Sequence, residues 1–190
     1  MDKLDYYHDV LKERLSRKRF EHSLAVAKTA LKLAKRYRLP KKTAYLAGLL
    51  HDYAREMPDK KLADLAVDYG LPKDEIMDAA PILWHGPVGA ILVEKDLGIH
   101  DPDILEAIHY HTTGSPKAGD IAKIVFLADL IEPGRKYSEV AYVREGAFND
   151  LNNGIFVAYE LLMGYYIEKG VLIHPLTLAA RNNLLINQRR

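Results

Sequence analysis

The chain has 190 residues, 48% of them hydrophobic, enough to bury one sizeable core and with no sign of a break into two domains. It has no cysteine, which excludes disulfides, iron–sulfur clusters and Cys-based zinc fingers and leaves His, Asp and Glu as the strong metal ligands. The net charge of +1 hides a segregation, because Lys12 to Lys42 holds twelve basic residues against Glu13 and Glu21 and leaves the remainder at −9.

Such a basic stretch attracts polyanions. Lys28, Lys32 and Lys35, however, follow helical spacing and read as a solvated helix face, so nucleic-acid binding is not the leading expectation. The stretch MDKLDYYHDVLKERL is charged throughout and has no apolar h-region. The longest nearly apolar stretch, Gly154 to Ile167, is interrupted by Glu160 and is too short to span a bilayer. The expectation is a soluble, cytoplasmic protein with no membrane partner.

In chain order, spacing and punctuation predict helices over 3–15, 20–37, 41–53, 59–69, 74–80, 85–97, 102–112, 119–132, 139–152, 155–169 and 176–188. Pro40, Pro72, Pro102 and Pro175 fit first turns, Gly70, Gly98 and Gly170 fit C-terminal caps, and Asp59 and Asp101 fit N-caps. Ile121 to Ile131 is rich in β-branched residues, but its length and the absence of flanking hairpin signals favour a buried helix over a strand. The expected fold class is all-α, a single-domain helical bundle over residues 1–190.

Several ionisable groups fall where apolar residues belong. The sequence has three His-Asp pairs, and roughly one is expected by chance at this composition. His8-Asp9 lies in a polar helix, and in His100-Asp101 the aspartate caps the next helix. His51-Asp52 ends the apolar run Tyr45 to Leu50, where an ionised carboxylate costs roughly several kcal/mol unless compensated. Asp129 repeats the problem, since Ala122, Val125 and Phe126 place it on the apolar stripe of its helix. His22 shares a face with Val26, Thr29 and Leu33 and points inward. Polar groups directed inward from separate helices are the arrangement in which a bundle assembles a metal site. His85, which opens a helix, and His111, which ends one, extend the set to six ligands, which suits two metals. His109 lies about 200° around the helix from His111, so one of the two can face the site, and His111 is chosen because it adjoins the Thr112-Thr113-Gly114 turn. His8, His100 and His174 are read as surface residues.

The ordered set His22, His51-Asp52, His85, His111 and Asp129 resembles the HD-domain superfamily and, more closely, the YqeK-type family of bacterial HD hydrolases. The phrases that carry the resemblance are Arg19-Phe-Glu-His-Ser-Leu-Ala-Val-Ala, Leu49-Leu-His-Asp-Tyr-Ala, Trp84-His-Gly-Pro-Val-Gly-Ala, Tyr110-His-Thr-Thr-Gly and Phe126-Leu-Ala-Asp-Leu-Ile-Glu-Pro-Gly-Arg135, spanning about residues 19 to 135. The resemblance implies symmetrical hydrolysis of diadenosine tetraphosphate to two ADP at a two-metal centre that uses iron. Relatives that cleave cyclic di-GMP carry a second His directly after the position of His111 and a Gly-Tyr-Pro element; here Thr112 follows and no Gly-Tyr-Pro occurs.

The expected mechanism is in-line attack of metal-activated water on an inner phosphorus. His22, His51, Asp52 and Asp129 are assigned to one ion, and His85, His111 and a share of Asp52 to the other. Arg135 is expected to clamp phosphate, with Arg19, Arg55, Thr112, Thr113 and Gly114 as further substrate contacts. The ligand types accept iron, manganese or zinc. Three alternatives stay open: an HD phosphohydrolase of a nucleoside monophosphate or guanosine alarmone, a nucleic-acid-binding helical domain, and a helical scaffold. The stretch Ile155 to Ile167, with Tyr159, Tyr165 and Tyr166, is read as core rather than as the face of a homodimer.

Overall fold

A computed structural model describes residues 3–188, and among these all regular structure is helical. The helices are α1 (Lys3–Arg14), α2 (Arg17–Tyr37), α3 (Lys41–Leu50), α4 (Asp59–Asp68), α5 (Glu75–Ala79), α6 (His85–Leu97), α7 (Pro102–Tyr110), α8 (Asp120–Ile131), α9 (Val140–Asn149), α10 (Leu151–Lys169) and α11 (Pro175–Gln188), with a 3-10 turn at Pro81–Trp84 before α6. Among the described residues no helix is long and apolar enough to cross a membrane.

Capping explains most boundaries. Ser16 accepts from the Arg19 N–H and starts α2 three residues before the expected position. Asp101 accepts from the Asp103 N–H, with Pro102 in the first turn of α7. Gly98 and Gly170 close α6 and α10 in the left-handed conformation. Four readings need correction. Pro40 is the N-cap of α3 rather than a first-turn residue. Asp59 lies inside the first turn of α4, behind Pro58, rather than at the cap. Pro72 falls three residues before α5, whose cap is Asp74, accepting from the N–H groups of Ile76 and Met77. Helix α10 begins at Leu151, because Asp150 caps it and Gly154 packs where a Cβ would meet the Ala147 backbone at 2.7 Å. The 3-10 turn was not anticipated.

Helices α2, α3, α6, α7 and α8 form the central bundle. The close seat of α2 on α3 depends on Gly48, where a Cβ would lie 3.0 Å from the Ala27 Cα. Gly86 plays the same part between α6 and α7, a Cβ there meeting the His109 carbonyl at 2.7 Å. Residues 121–131 are a helix, buried at Ile121, Ala122, Ile124 to Ala128 and Ile131. Lys28, Lys32 and Lys35 are exposed along α2, the solvated face that their spacing predicts. Helix α10 divides: Ile155, Ala158 and Tyr159 are buried, while Tyr165 and Ile167 are exposed.

Candidate metal centre

The structure brings together His22, His51, Asp52, His85, His111 and Asp129 from five helices, all at helix ends except His22 and Asp129. His51 and His111 are the residues that end α3 and α7, and His85 follows the 3-10 turn. Each of these three imidazoles donates from Nδ1 to the carbonyl three residues earlier: His51 to Gly48 at 2.8 Å, His85 to Ile82 at 2.5 Å and His111 to Ile108 at 2.7 Å. At the ends of α3 and α7 the imidazoles cap the Gly48 and Ile108 carbonyls, while the Ile82 carbonyl accepts both the His85 ring and its backbone N–H. A carbonyl accepts only, so Nδ1 carries the proton and Nε2 faces the centre as a bare lone pair. His22 reaches the same state differently, with Nδ1 donating to Glu132 Oε1 at 3.2 Å.

Asp52 lies between two groups of these nitrogens and is only 3% exposed. Its Oδ2 is 3.2 Å from His51 Nε2 and 3.8 Å from His22 Nε2, while Oδ1 is 3.3 Å from His85 Nε2 and 3.7 Å from His111 Nε2. Asp129 Oδ1 stands 3.0 Å from His22 Nε2 and 4.0 Å from His51 Nε2. Two guanidinium groups flank the carboxylates: Arg19 Nη1 donates to Asp52 Oδ2 at 2.8 Å, and Arg135 donates to the Asp129 carboxylate at 2.5 Å and to its carbonyl at 2.8 Å.

The donor set fits metal ions. The Nε2 atoms of His22 and His51 are buried and make no hydrogen bond. His85 Nε2 and His111 Nε2 approach to 2.9 Å although both rings already spend a proton on Nδ1, so the contact is repulsive unless a cation lies between or beside them. Burial, then the neighbouring His85 and His51 rings, brings the His111 pKa down to about 3, which rules out this ring as the one that carries an extra proton at neutral pH. Burial works against the charge of Asp52, but His51 and His85 outweigh it and hold the carboxyl well below its usual range. At Asp129 burial is likewise outweighed by His22, His51 and Arg135, and the pKa is lowered. Burial opposes the charged form of His51 too, yet Asp52 and Asp129 leave its pKa raised. Ligand atoms of His22, His51 and Asp129, and of His51, Asp52 and His111, lie within 4.8 Å of one another.

A family model described as HD domain matches residues 19–134. The chain belongs to the HD-domain family. HD domains bind divalent metal ions, in keeping with the donor set found here. The chain is 38% identical to the symmetrical bis(5'-nucleosyl)-tetraphosphatase of Halalkalibacterium halodurans, over 95% of this chain and 96% of that one. It is 35% identical to the enzyme of the same description from Bacillus subtilis, over 92% and 94% of the two chains. A crystal structure from Clostridium acetobutylicum, described as an HD superfamily hydrolase involved in NAD metabolism, matches with a TM-score of 0.94 at 37% identity, covering 97% of each chain.

The remaining expected residues are distributed more widely. Arg55 is half-buried, and its guanidinium makes no hydrogen bond or ion pair among the described residues. Thr112 Oγ1 is buried without a partner. Thr113 and Gly114 turn toward the C-terminal helices α10 and α11: the Thr113 carbonyl accepts from Thr177 at 2.8 Å, and a Cβ at Gly114 would collide with the Tyr159 hydroxyl. His109 packs on Tyr110 outside the cluster. His100 is exposed beside Glu94, whereas His174 is buried, contrary to the surface reading. It donates to Asp74 at 2.7 Å and accepts from the Leu176 N–H, joining the start of α11 to the cap of α5. Glu132, 5% exposed and bonded to His22, is the polar residue the sequence reading passed over, although it ends an apolar helix as His51-Asp52 does.

Proposed function

We propose that this chain hydrolyses diadenosine tetraphosphate symmetrically to two ADP at a centre that holds two divalent transition-metal ions. The observation that carries the reading is the Asp52 carboxylate set between two groups of proton-free imidazole nitrogens. His22, His51, Asp52 and Asp129 would hold one ion, and His85, His111 and the second oxygen of Asp52 the other. Iron is the proposed metal, and the same donors accept manganese or zinc. When bound, such ions make hydroxide available near neutral pH and neutralise charge on phosphoryl oxygens.

The chain's own residues orient and neutralise around that chemistry. Three imidazoles are fixed by helix-end carbonyls, so their lone pairs need no reordering to receive a cation. Arg19 and Arg135 stand on the two carboxylates with side chains 30% and 38% exposed, which leaves each guanidinium a solvent-facing edge for phosphate. Arg55 adds a cation with no competing partner. In the reaction, water oxygen bonds to one of the two inner phosphorus atoms and the central anhydride P–O bond breaks. Each half then leaves as a nucleoside diphosphate. Similarity to the tetraphosphatases over nearly the whole chain supports this choice of bond.

The test is product analysis with metal-loaded protein and diadenosine tetraphosphate. ADP as sole product is expected. Equal ATP and AMP would overturn the symmetrical reading, and equal turnover in metal-stripped protein would overturn the metal centre.

A further inference from the structure

His51, His85 and His111 each find a main-chain carbonyl three residues back within reach of Nδ1. His22 has no such choice. It lies in the second turn of α2, whose preceding carbonyls are engaged within the helix. Its orientation must come from a side chain, and the residue in contact with Nδ1 is Glu132, 110 positions away.

Glu132 is itself held on every side. It terminates α8, where its N–H donates to the Ala128 carbonyl. Its carboxylate accepts from the Gly134 N–H, and a Cβ at 134 would come within 2.8 Å of the carboxylate oxygen, so the Pro133-Gly134 turn folds directly over it. Arg144 of α9 fastens the main chain around it, donating to the carbonyls of Ile131 at 2.7 Å, Glu132 at 2.8 Å and Arg135 at 3.2 Å. A third buried carboxylate beside Asp52 and Asp129 adds negative charge to a crowded centre. Arg135 Nε, 3.8 Å from Glu132 Oε1, offsets part of that charge.

We infer that Glu132 is a positioning residue for His22, accepting the Nδ1 proton so that Nε2 is the nitrogen offered to the metal. The inference rests on the proposed role of His22 as a ligand. A carboxylate behind a metal-bound imidazole fixes its tautomer and ring orientation and raises its basicity, and losing such a partner typically weakens metal binding about 10- to 100-fold. Arg144 and the Gly134 turn act one step further out, keeping the carboxylate in place.

The experiment uses the full chain loaded with zinc, which is diamagnetic, and compares the natural protein with Glu132→Gln and His22→Ala. Nitrogen-15 spectra of the natural protein should show His22 protonated at Nδ1 and metal-bound at Nε2; the opposite assignment overturns the inference without need of any variant. Competition with a chelator should show zinc held about tenfold more weakly in Glu132→Gln, with the other three imidazole tautomers unchanged. Zinc affinity at the natural level in Glu132→Gln, together with weakened binding in His22→Ala, overturns the positioning role while leaving His22 a ligand. Natural affinity in His22→Ala overturns the ligand role and the inference with it. A lower melting temperature in Glu132→Gln with natural zinc affinity marks a purely structural residue and counts against the inference.

Discussion

On the side of the centre built by α3, α6 and α7, three imidazoles are oriented by main-chain carbonyls, and their side chains are no more than 5% exposed. On the side built by α2 and α8, His22 and Asp129 are oriented by Glu132 and Arg135 and are 12% and 21% exposed. The first side changes only if a helix end moves. The second can exchange partners, since a guanidinium that now bonds a carboxylate can bond a phosphate instead. In the proposed reading, rigid ligation belongs to the helix ends of α3, α6 and α7 and adaptable substrate contact to the α2 and α8 side, with Asp52 touching imidazoles of both.

The largest disturbance removes the residue common to both sides. Asp52→Asn should lower hydrolysis on the order of 10³-fold and reduce bound metal, as measured by turnover and elemental analysis. The metal-free variant should unfold below the natural temperature, because the ion pair with Arg19 is broken and the ionised form that the folded protein favours at Asp52 is lost. Natural turnover in this variant would contradict the comparison outright.

His111→Ala strikes the rigid side alone and should cost roughly 10²-fold or more in turnover, whereas His109→Ala should stay within about twofold and keep its metal. His109 faces Tyr110, away from the cluster. The reverse ranking would mean that the end of α7 is read in the wrong register.

Gly86→Ala tests the rigid side without touching a ligand. Its Cβ would meet the His109 carbonyl at 2.7 Å, so α6 and α7 must part. The expected loss is about 1–3 kcal/mol in denaturant unfolding, with a matching fall in metal content as His85 and His111 separate. Stability lost with metal content intact would show that the spacing of α6 and α7 is not what joins these two ligands.

The gentlest perturbation is pH on metal-free protein. His111, brought down to about 3, should remain neutral through mild acid, and His51, whose pKa is raised, should charge before an ordinary imidazole. The stability consequences oppose each other. Lowering pH from about 6.5 favours unfolding through His111, whose folded pKa is depressed, and the raised pKa of His51 makes a contribution that is full below about 6.5 and lost above it. Asp52 and Asp129, both depressed, stabilise above about 4 and lose that contribution as pH falls further. Ring titrations followed by nuclear magnetic resonance, beside a pH series of unfolding curves, check both signs. Parallel titration of His51 and His111 would refute this.

Much of this was legible in the sequence because helix punctuation and misplaced charge are local signals. Asp101, Gly98 and Gly170 mark ends through their own chemistry, and His51-Asp52 and Asp129 are conspicuous against apolar neighbours. What escaped depends on distant partners. The expected break at 153–154 falls instead at Asp150, because Asp150 caps α10 and Gly154 packs against the Ala147 backbone. His174 looks like a surface residue until Asp74, 100 positions earlier, is brought beside it. Thr113 and Gly114 read as a ligand-facing turn, and their packing on Thr177 of α11 and Tyr159 of α10 is visible only in the fold. Glu132 follows the same apolar-helix logic as Asp129, but its partner His22 is known only from the fold.

The use of main-chain carbonyls to orient three imidazoles also governs how the sequence can drift. Every residue type supplies a carbonyl, so Ile82 and Ile108 can exchange for other apolar residues without their histidines losing a partner. Position 132 has no such freedom, since the oxygen that meets His22 belongs to one side chain. Transplanting this centre into an unrelated helical bundle would therefore need three histidines placed at helix ends, where any backbone will orient them, and one interior histidine accompanied by its glutamate.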